Sequence, residues 1–325
     1  MRLALGIMMI ICCGETLIDM VPVESATGQT CYAPLVGGAI FNTATGLGRL
    51  GIQVGMLSGV STDLFGQQLA DALSASNVST AYLIRSKLPT TLAFVALNGG
   101  QASYTFYDEN TAGRSLTEAD LPGVQNLGKD LTALYCGGIS LISEPAADTY
   151  CALVLQHAAD KVIIVDPNIR IGFISHEPSY RERLKQIIDV CDIVKVSDED
   201  LHWLAGSVST RAKTLSEAQQ VAQLRGLSNA IVVVTKGAEG ATAYLANGQS
   251  VHQGVPKVTV VDTVGAGDTF NAGFIARLAE LGLMSKSSLA QISLTALSDA
   301  LAHGAKVAGV TVSRQGANPP WSNEL

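Results

Sequence analysis

From about residue 130 onward, short apolar runs rich in β-branched residues alternate with longer amphipathic stretches, and few architectures accept that alternation. Leu131–Cys136, Lys161–Asp166, Asp192–Val196 and Ile231–Thr235 read as strands. A stretch after Glu144 and another through Tyr180–Ile188 read as helices, and long helical segments close the chain after Gly267. Strands that are apolar throughout and separated by helices are buried on both faces, so the pattern predicts a doubly wound α/β domain with a mostly parallel sheet. The whole of residues 1–325 reads as one such domain.

Two stretches break the rhythm, Val21–Leu35 and about 90–107, where Leu92–Val95 and Tyr104–Tyr107 flank the turn Asn98-Gly99-Gly100. Asn-Gly between two β-prone runs predicts a hairpin. These strands follow no helix, so they are expected to form a small inserted β lid, from about 20–36 and 88–108, that keeps water from a reaction.

Composition removes other classes. The chain is 47% hydrophobic and 15% charged, with a net charge of −7, which excludes a disordered chain or a nucleic-acid-coating protein. Cys12, Cys13, Cys31, Cys136, Cys151 and Cys191 show no paired C-x-x-C spacing and read as buried free thiols of a reducing compartment. The run Leu3–Cys13 is too short for a bilayer-spanning helix, which needs about 20 apolar residues, and reads as a buried first strand. The expectation is a cytoplasmic protein with no membrane and no nucleic-acid partner.

Gly46-Leu47-Gly48-Arg49-Leu50-Gly51 matches the dinucleotide pattern G-x-G-x-x-G by letter. That fingerprint requires a strand before it and a helix after it. Here Asn42–Leu50 reads as the helix and Ile52–Val60 as the strand that follows, so the context is inverted and the glycines read as packing and capping residues, with Gly51 as a left-handed terminator.

The most informative segment is Val260–Gly273. Phe270, Phe274, Leu278 and Leu281 recur at helical spacing, so a helix is expected to begin near Gly267 and to stop at Gly282. Gly265, Ala266 and Gly267 then present backbone N–H groups where unpaired donors and the positive end of the helix dipole coincide, an anion cradle suited to a transferring phosphoryl group. Asp268 sits in the first turn, either as a helix-capping carboxylate or as a base able to take a proton from an attacking hydroxyl. Asp262 is a second carboxylate nearby. Two carboxylates beside a phosphate site imply a cation, Mg²⁺ on the phosphates or a structural monovalent ion.

A second cluster lies early in the chain: Gly14-Glu15 and Asp19, then Gly37-Gly38-Ala39-Ile40-Phe41-Asn42. The Gly37-Gly38 pair admits a close approach to a small polar ligand, while Asp19 and Asn42 offer groups for hydroxyls; Asn42 reads equally as a helix cap and Asp19 as a turn residue. Strands of the second half end in Asp166-Pro167-Asn168-Ile169-Arg170, Ser197-Asp198-Glu199-Asp200 and Thr235–Gly240. In an open α/β sheet such ends converge on one crevice, where Asn168 could meet substrate and Arg170 a phosphate; Ser197–Asp200 alone reads as a solvated helix start. Lys236 belongs to no Walker A loop.

Together these residues resemble the ribokinase-like, PfkB-type carbohydrate kinases from about Ile11 to Trp321, and Asp262–Gly273 is a specific signature of that family. The resemblance implies a ribokinase-like fold with a β lid, a homodimer formed lid to lid, and transfer of a phosphoryl group from ATP to a sugar. It implies Asp268 as catalytic base, Gly265, Ala266 and Gly267 as the anion hole, and Asp19, Gly38 and Asn42 as sugar ligands. Lys195, Thr235, Gly237 and Gly240 would serve the nucleotide, with Asn271 and His303 around adenine. Asp262 and Val264 with Ser313–Ala317, including Ser313 and Gly316, would hold a monovalent cation such as K⁺.

The family's Mg²⁺-serving N-x-x-E element stands here as Ser197-Asp198-Glu199-Asp200, which leaves Glu199 or Asp200 for the metal. In the lid, Thr91–Val95, Phe106-Tyr107 and Arg114-Ser115-Leu116 look like the bacterial fructokinase pattern, although Gly113 stands where those enzymes usually carry aspartate. The implied activity is phosphorylation of a sugar hydroxymethyl, D-fructose first, with ribose or 2-keto-3-deoxygluconate as alternatives. A sugar- or nucleotide-binding regulatory protein without catalysis is the reading from another class.

Overall fold

The computed structural model describes residues 8–98, 101–121, 130–206, 215–226 and 228–325. Leu3–Ile7 of the expected first strand and Gly99-Gly100 of the expected hairpin turn lie outside them. The strands are β1 (Met9–Cys13), β2 (Leu17–Glu24), β3 (Thr30–Gly37), β4 (Val54–Ser61), β5 (Val78–Ser79), β6 (Leu83–Ser86), β7 (Leu92–Asn98), β8 (Gln101–Tyr107), β9 (Leu131–Gly137), β10 (Val162–Asp166), β11 (Ile193–Ser197), β12 (Ile231–Thr235), β13 (Ala241–Tyr244) and β14 (Ser250–Gln253). The helices are α1 (Ala39–Arg49), α2 (Leu64–Ala75), α3 (Ala146–His157), α4 (Glu177–Val190), α5 (Asp198–Gly206), α6 (Glu217–Arg225), α7 (Ala266–Glu280), α8 (Lys286–Leu289) and α9 (Leu294–Val312).

The central sheet runs β14-β13-β12-β11-β10-β9-β1-β4-β5, with β6 also on β4. Its middle is parallel from β12 to β4, and the two antiparallel pairings are those of β13 with β12 and with β14. Side chains alternate across it as the two-residue period of a strand demands: Ile10 and Cys12 enter one core, Ile11 and Cys13 the other. The first core packs under α1, α7 and α9, the second under α3, α4 and α5. Runs such as Val162–Asp166 are buried along their whole length, which is why they read as continuous apolar strands rather than alternating ones.

The second sheet, β3-β2-β7-β8, joins the two stretches that broke the sequence rhythm. β2 pairs antiparallel with β3, parallel with β7, and β7 antiparallel with β8. Five cysteines are buried free thiols as expected, whereas Cys31 is exposed, because it lies on β3 of this outlying sheet rather than in the core. Among the described residues no helix is long and apolar enough to cross a membrane.

The glycine motif sits at the carboxyl end of α1, and β4 follows it. A Cβ on Gly46 would come within 2.6 Å of the Ala272 Cβ on α7, and one on Gly48 would strike the Ser76 carbonyl. Gly51 takes the left-handed φ of 84° that ends the helix. These glycines close α1 and pack it against its neighbours, and no helix starts at them.

Candidate active site

A cleft of about 340 Å³ opens at the carboxyl ends of the central strands, roofed by Tyr104 and Phe106 of the lid. It gathers Asp19, Gly38 and Asn42 from the early cluster, Asn168, Arg170 and Lys195 from the sheet's second half, and Val264–Asp268 from the start of α7. Residues from Glu15 to Asp268, far apart in the chain, thus face one volume, as the crossover rule for open α/β sheets requires.

The cradle follows from local backbone chemistry. Gly265 caps α7 at a left-handed φ of 75°, which a side chain would resist. A Cβ there would also come within 2.5 Å of the Ala317 Cβ. In this turn the Ala266 N–H bonds the Thr263 carbonyl at 3.2 Å, Gly265 and Gly267 line the cleft on either side of it, and the Lys195 ammonium is close by: a Cβ on Gly267 would lie 3.3 Å from its Nζ. Oriented donors, a helix start and a cation make a site fitted to a phosphate.

Asp268 is buried in that first turn and accepts a 2.9 Å hydrogen bond at Oδ2 from the Asn42 amide. Burial pushes its pKa up to about 7; the Asn42 bond works the other way, the neighbouring Asp166 adds to the rise, and Lys195 and Arg170 oppose it. A carboxylate in this range can take a proton near neutral pH. Asp19, half-buried under the lid, is raised to about 6 by desolvation. Gly37 lies beside it because a Cβ there would collide with the Asp19 carboxylate.

Behind the cradle lies a buried polar network that the sequence reading did not assemble. Lys195 Nζ donates to Asp166 Oδ2 at 3.0 Å, and Asn271 Nδ2 donates to the same oxygen at 2.7 Å and to the Tyr135 hydroxyl at 2.9 Å. The Thr43 hydroxyl lies 3.1 Å from the Asp268 carbonyl and 3.3 Å from the Tyr135 hydroxyl. The one signal for it in the sequence was Lys195, a lysine in an otherwise apolar strand; Tyr135 was indistinguishable from a core aromatic. Asn271, expected around adenine, instead has both amide donors committed inside this network, because the second turn of α7 points that residue at β9 and β10. Tyr104 was also missed, although it shares a lid face with Phe106 two residues on.

Other expected residues stand apart from the cleft. Thr235, Gly237 and Gly240 form the β12–β13 turn, where the Lys236 N–H bonds the Gly240 carbonyl, and His303 is half-buried on α9. Both Asp200 oxygens are taken by backbone N–H groups, from Ile169 at 3.1 Å and Ser197 at 3.3 Å. Exposed Glu199 lines a different cleft, with Trp203, Glu217 and Lys236. Among the described residues no three His, Cys, Asp or Glu side chains converge as a metal set. Asp262 does meet the Ser313–Gly316 segment: its Oδ2 accepts the Gly316 N–H at 2.9 Å and its Oδ1 the Val264 N–H at 3.0 Å, while the Ser313 hydroxyl bonds the Val310 carbonyl.

A cleft beneath a small separate sheet in a doubly wound domain, with a buried carboxylate set against a helix start, has the form of a site for passing an anionic group to a small polar acceptor. The chain belongs to the pfkB family of carbohydrate kinases, whose model matches residues 8–324. It is 47% identical to a fructokinase of Rhizobium leguminosarum bv. trifolii over 289 residues, covering 89% of this chain and 85% of that protein. A fructokinase of Escherichia coli is 31% identical over 83% of this chain and 84% of its own length. Among solved structures, a fructokinase of Xylella fastidiosa with bound ATP superposes with a TM-score of 0.84 at 26% identity, covering 95% of this chain and 93% of that one.

Proposed function

We propose that this carbohydrate kinase transfers the γ-phosphoryl group of ATP to the 6-hydroxyl of D-fructose, giving fructose 6-phosphate and ADP. The observation that carries the reading is Asp268, buried, near-neutral in pKa and adjacent to the Gly265–Gly267 cradle. Asp268 takes the proton of the sugar hydroxyl as its oxygen forms the bond to phosphorus and the bond to the ADP oxygen breaks. The amides of Gly265 and Gly267, with that of Ala266 once it leaves the Thr263 carbonyl, and Lys195 and Arg170 stabilise the charge on the phosphoryl oxygens. Asp19, Gly38, Asn42, Asn168 and Phe106 hold the sugar. Mg²⁺ on the nucleotide would neutralise phosphate charge, and Asp262 with Val264, Ser313 and Gly316 would hold a monovalent cation such as K⁺. Fructose as acceptor rests on the 47% identical relative named above.

We read residues 1–325 as one domain working in the cytoplasm, where five buried free thiols are at home, and pairing lid to lid with a second copy. Val23, Tyr32, Leu35, Tyr104 and Tyr107 expose apolar surface on that sheet. ADP release measured over fructose, ribose, 2-keto-3-deoxygluconate and nucleosides tests the activity. Fructose is expected to show the highest kcat/KM. A higher value for ribose or the keto acid reassigns the substrate, and ATP binding without turnover on any of them turns the reading to a regulatory binder.

A further inference from the structure

Gly14 and Glu15 follow β1 and wedge between two loops of the cleft. Glu15 is 8% exposed, yet its carboxylate lines the cleft and bridges both walls. Its Oε1 accepts the Ala39 N–H, the first of α1, at 3.0 Å, and its Oε2 accepts the Ser140 N–H, in the turn after β9, at 3.3 Å. The surrounding glycines make room for this clasp. A Cβ on Gly138 would collide with both Glu15 oxygens, and one on Gly38 would lie 3.0 Å from the Glu15 carbonyl. A Cβ on Gly14 would reach the same two loops, 2.5 Å from Ile40 and 2.7 Å from the Ser140 hydroxyl. A carboxylate bonded to backbone N–H groups at a helix start is a charge-assisted contact favoured by the helix dipole.

One turn into α1, Asn42 holds Asp268 at 2.9 Å, and Asn42 itself lines the cleft. Displacement of Ala39 therefore displaces Gly38 and Asn42. We propose that Glu15 is a positioning residue for sugar binding, locking the Gly38–Asn42 start of α1 to the Gly138–Ser140 turn so that both walls of the cleft meet the acceptor at a fixed spacing. This rests on the sugar-kinase reading, and loss of that reading would show separately, as a wild-type enzyme that turns over no sugar.

Steady-state kinetics on Glu15→Gln, Glu15→Ala and Gly138→Ala test it, each beside a thermal unfolding curve. The KM for the sugar is expected to rise about tenfold or more in Glu15→Ala, the scale of one lost charge-assisted hydrogen bond, and less in Glu15→Gln. Gly138→Ala, which pushes the carboxylate from the opposite wall, is expected to raise the same KM. The KM for ATP is expected to stay within about twofold, because the cradle lies on α7 rather than on the clasped walls. A lowered melting temperature with an unchanged sugar KM would show Glu15 to be structural only, and equal rises in both KM values would overturn the assignment to the sugar. Should Glu15→Ala fail to fold, Gly138→Ala and Glu15→Gln carry the same comparison.

Discussion

Asp268 is held in a state that stability alone would not choose. Burial raises its folded pKa to about 7 from the ordinary carboxylate value of 3.8, so folding favours the protonated form. Its stabilising contribution is therefore complete below about pH 4 and is lost as pH rises through about 7, while the ionised form that accepts a proton appears over the same interval. Replacing Asp268 with asparagine is expected to lower kcat by about 10²-fold or more and, at pH 8, to raise the melting temperature by about 2 °C or more. Stopped assays and calorimetry on the same preparation read both, and unchanged turnover would remove Asp268 from the mechanism. The pH profile follows. In the native enzyme kcat is expected to fall as pH drops through about 7, and sugar affinity to weaken as pH drops through about 6, where Asp19 gains its proton. Asp268 and the glycines before it were legible as a motif because the chemistry needs adjacent residues. Asp166, Tyr135 and the commitment of Asn271 were not, because their partners are distant in the chain.

Helices set the second scale. α1 and α7 carry the clearest contrast between glycines alike in letter and unlike in context. At Gly265 the chain needs a left-handed turn into a helix start; at Gly48 it needs space, since a side chain would meet the Ser76 carbonyl. Gly48→Ala is expected to destabilise the fold by about 1–3 kcal/mol, the usual cost of overpacking, with the KM for ATP unchanged in the folded fraction. Denaturant titration and kinetics separate the two effects; weakened ATP binding at full stability would return the motif to a nucleotide role. The order of strand and helix already distinguished these glycines, because an inverted context cannot place a pyrophosphate on a helix start.

Across the molecule, the charge of −7 gives no long-range attraction for ATP, so the proposed reading assigns its affinity to local groups, the helix-start amides and the Lys195 and Arg170 side chains that line the cleft. The small β3-β2-β7-β8 sheet, if it works as a lid, would exclude water. Phe106 lines the cleft and meets Phe173, in the turn after Arg170, with ring centroids 4.7 Å apart, so one contact joins lid to body beside the cradle. Phe106→Ala is expected to raise the ratio of sugar-free ATP hydrolysis to sugar-dependent turnover by about threefold or more, as a lid that seals poorly lets water compete. ADP release with and without sugar measures it, and an unchanged ratio would deny the lid that role.

Local patterns in the chain specified the doubly wound class, the strands of the separate small sheet, the helix start at Gly265–Asp268 and the inverted context of the dinucleotide letters. Each of these depends on periodicity or on residues a few positions apart. Tertiary structure alone decided which strand ends share the cleft, that Asn271 faces Asp166, that Asp200 caps backbone rather than facing the cleft, and that Glu15 spans two loops. Those outcomes depend on pairings across the sheet, and a side chain's partners over such separations are set by packing, which no local pattern encodes.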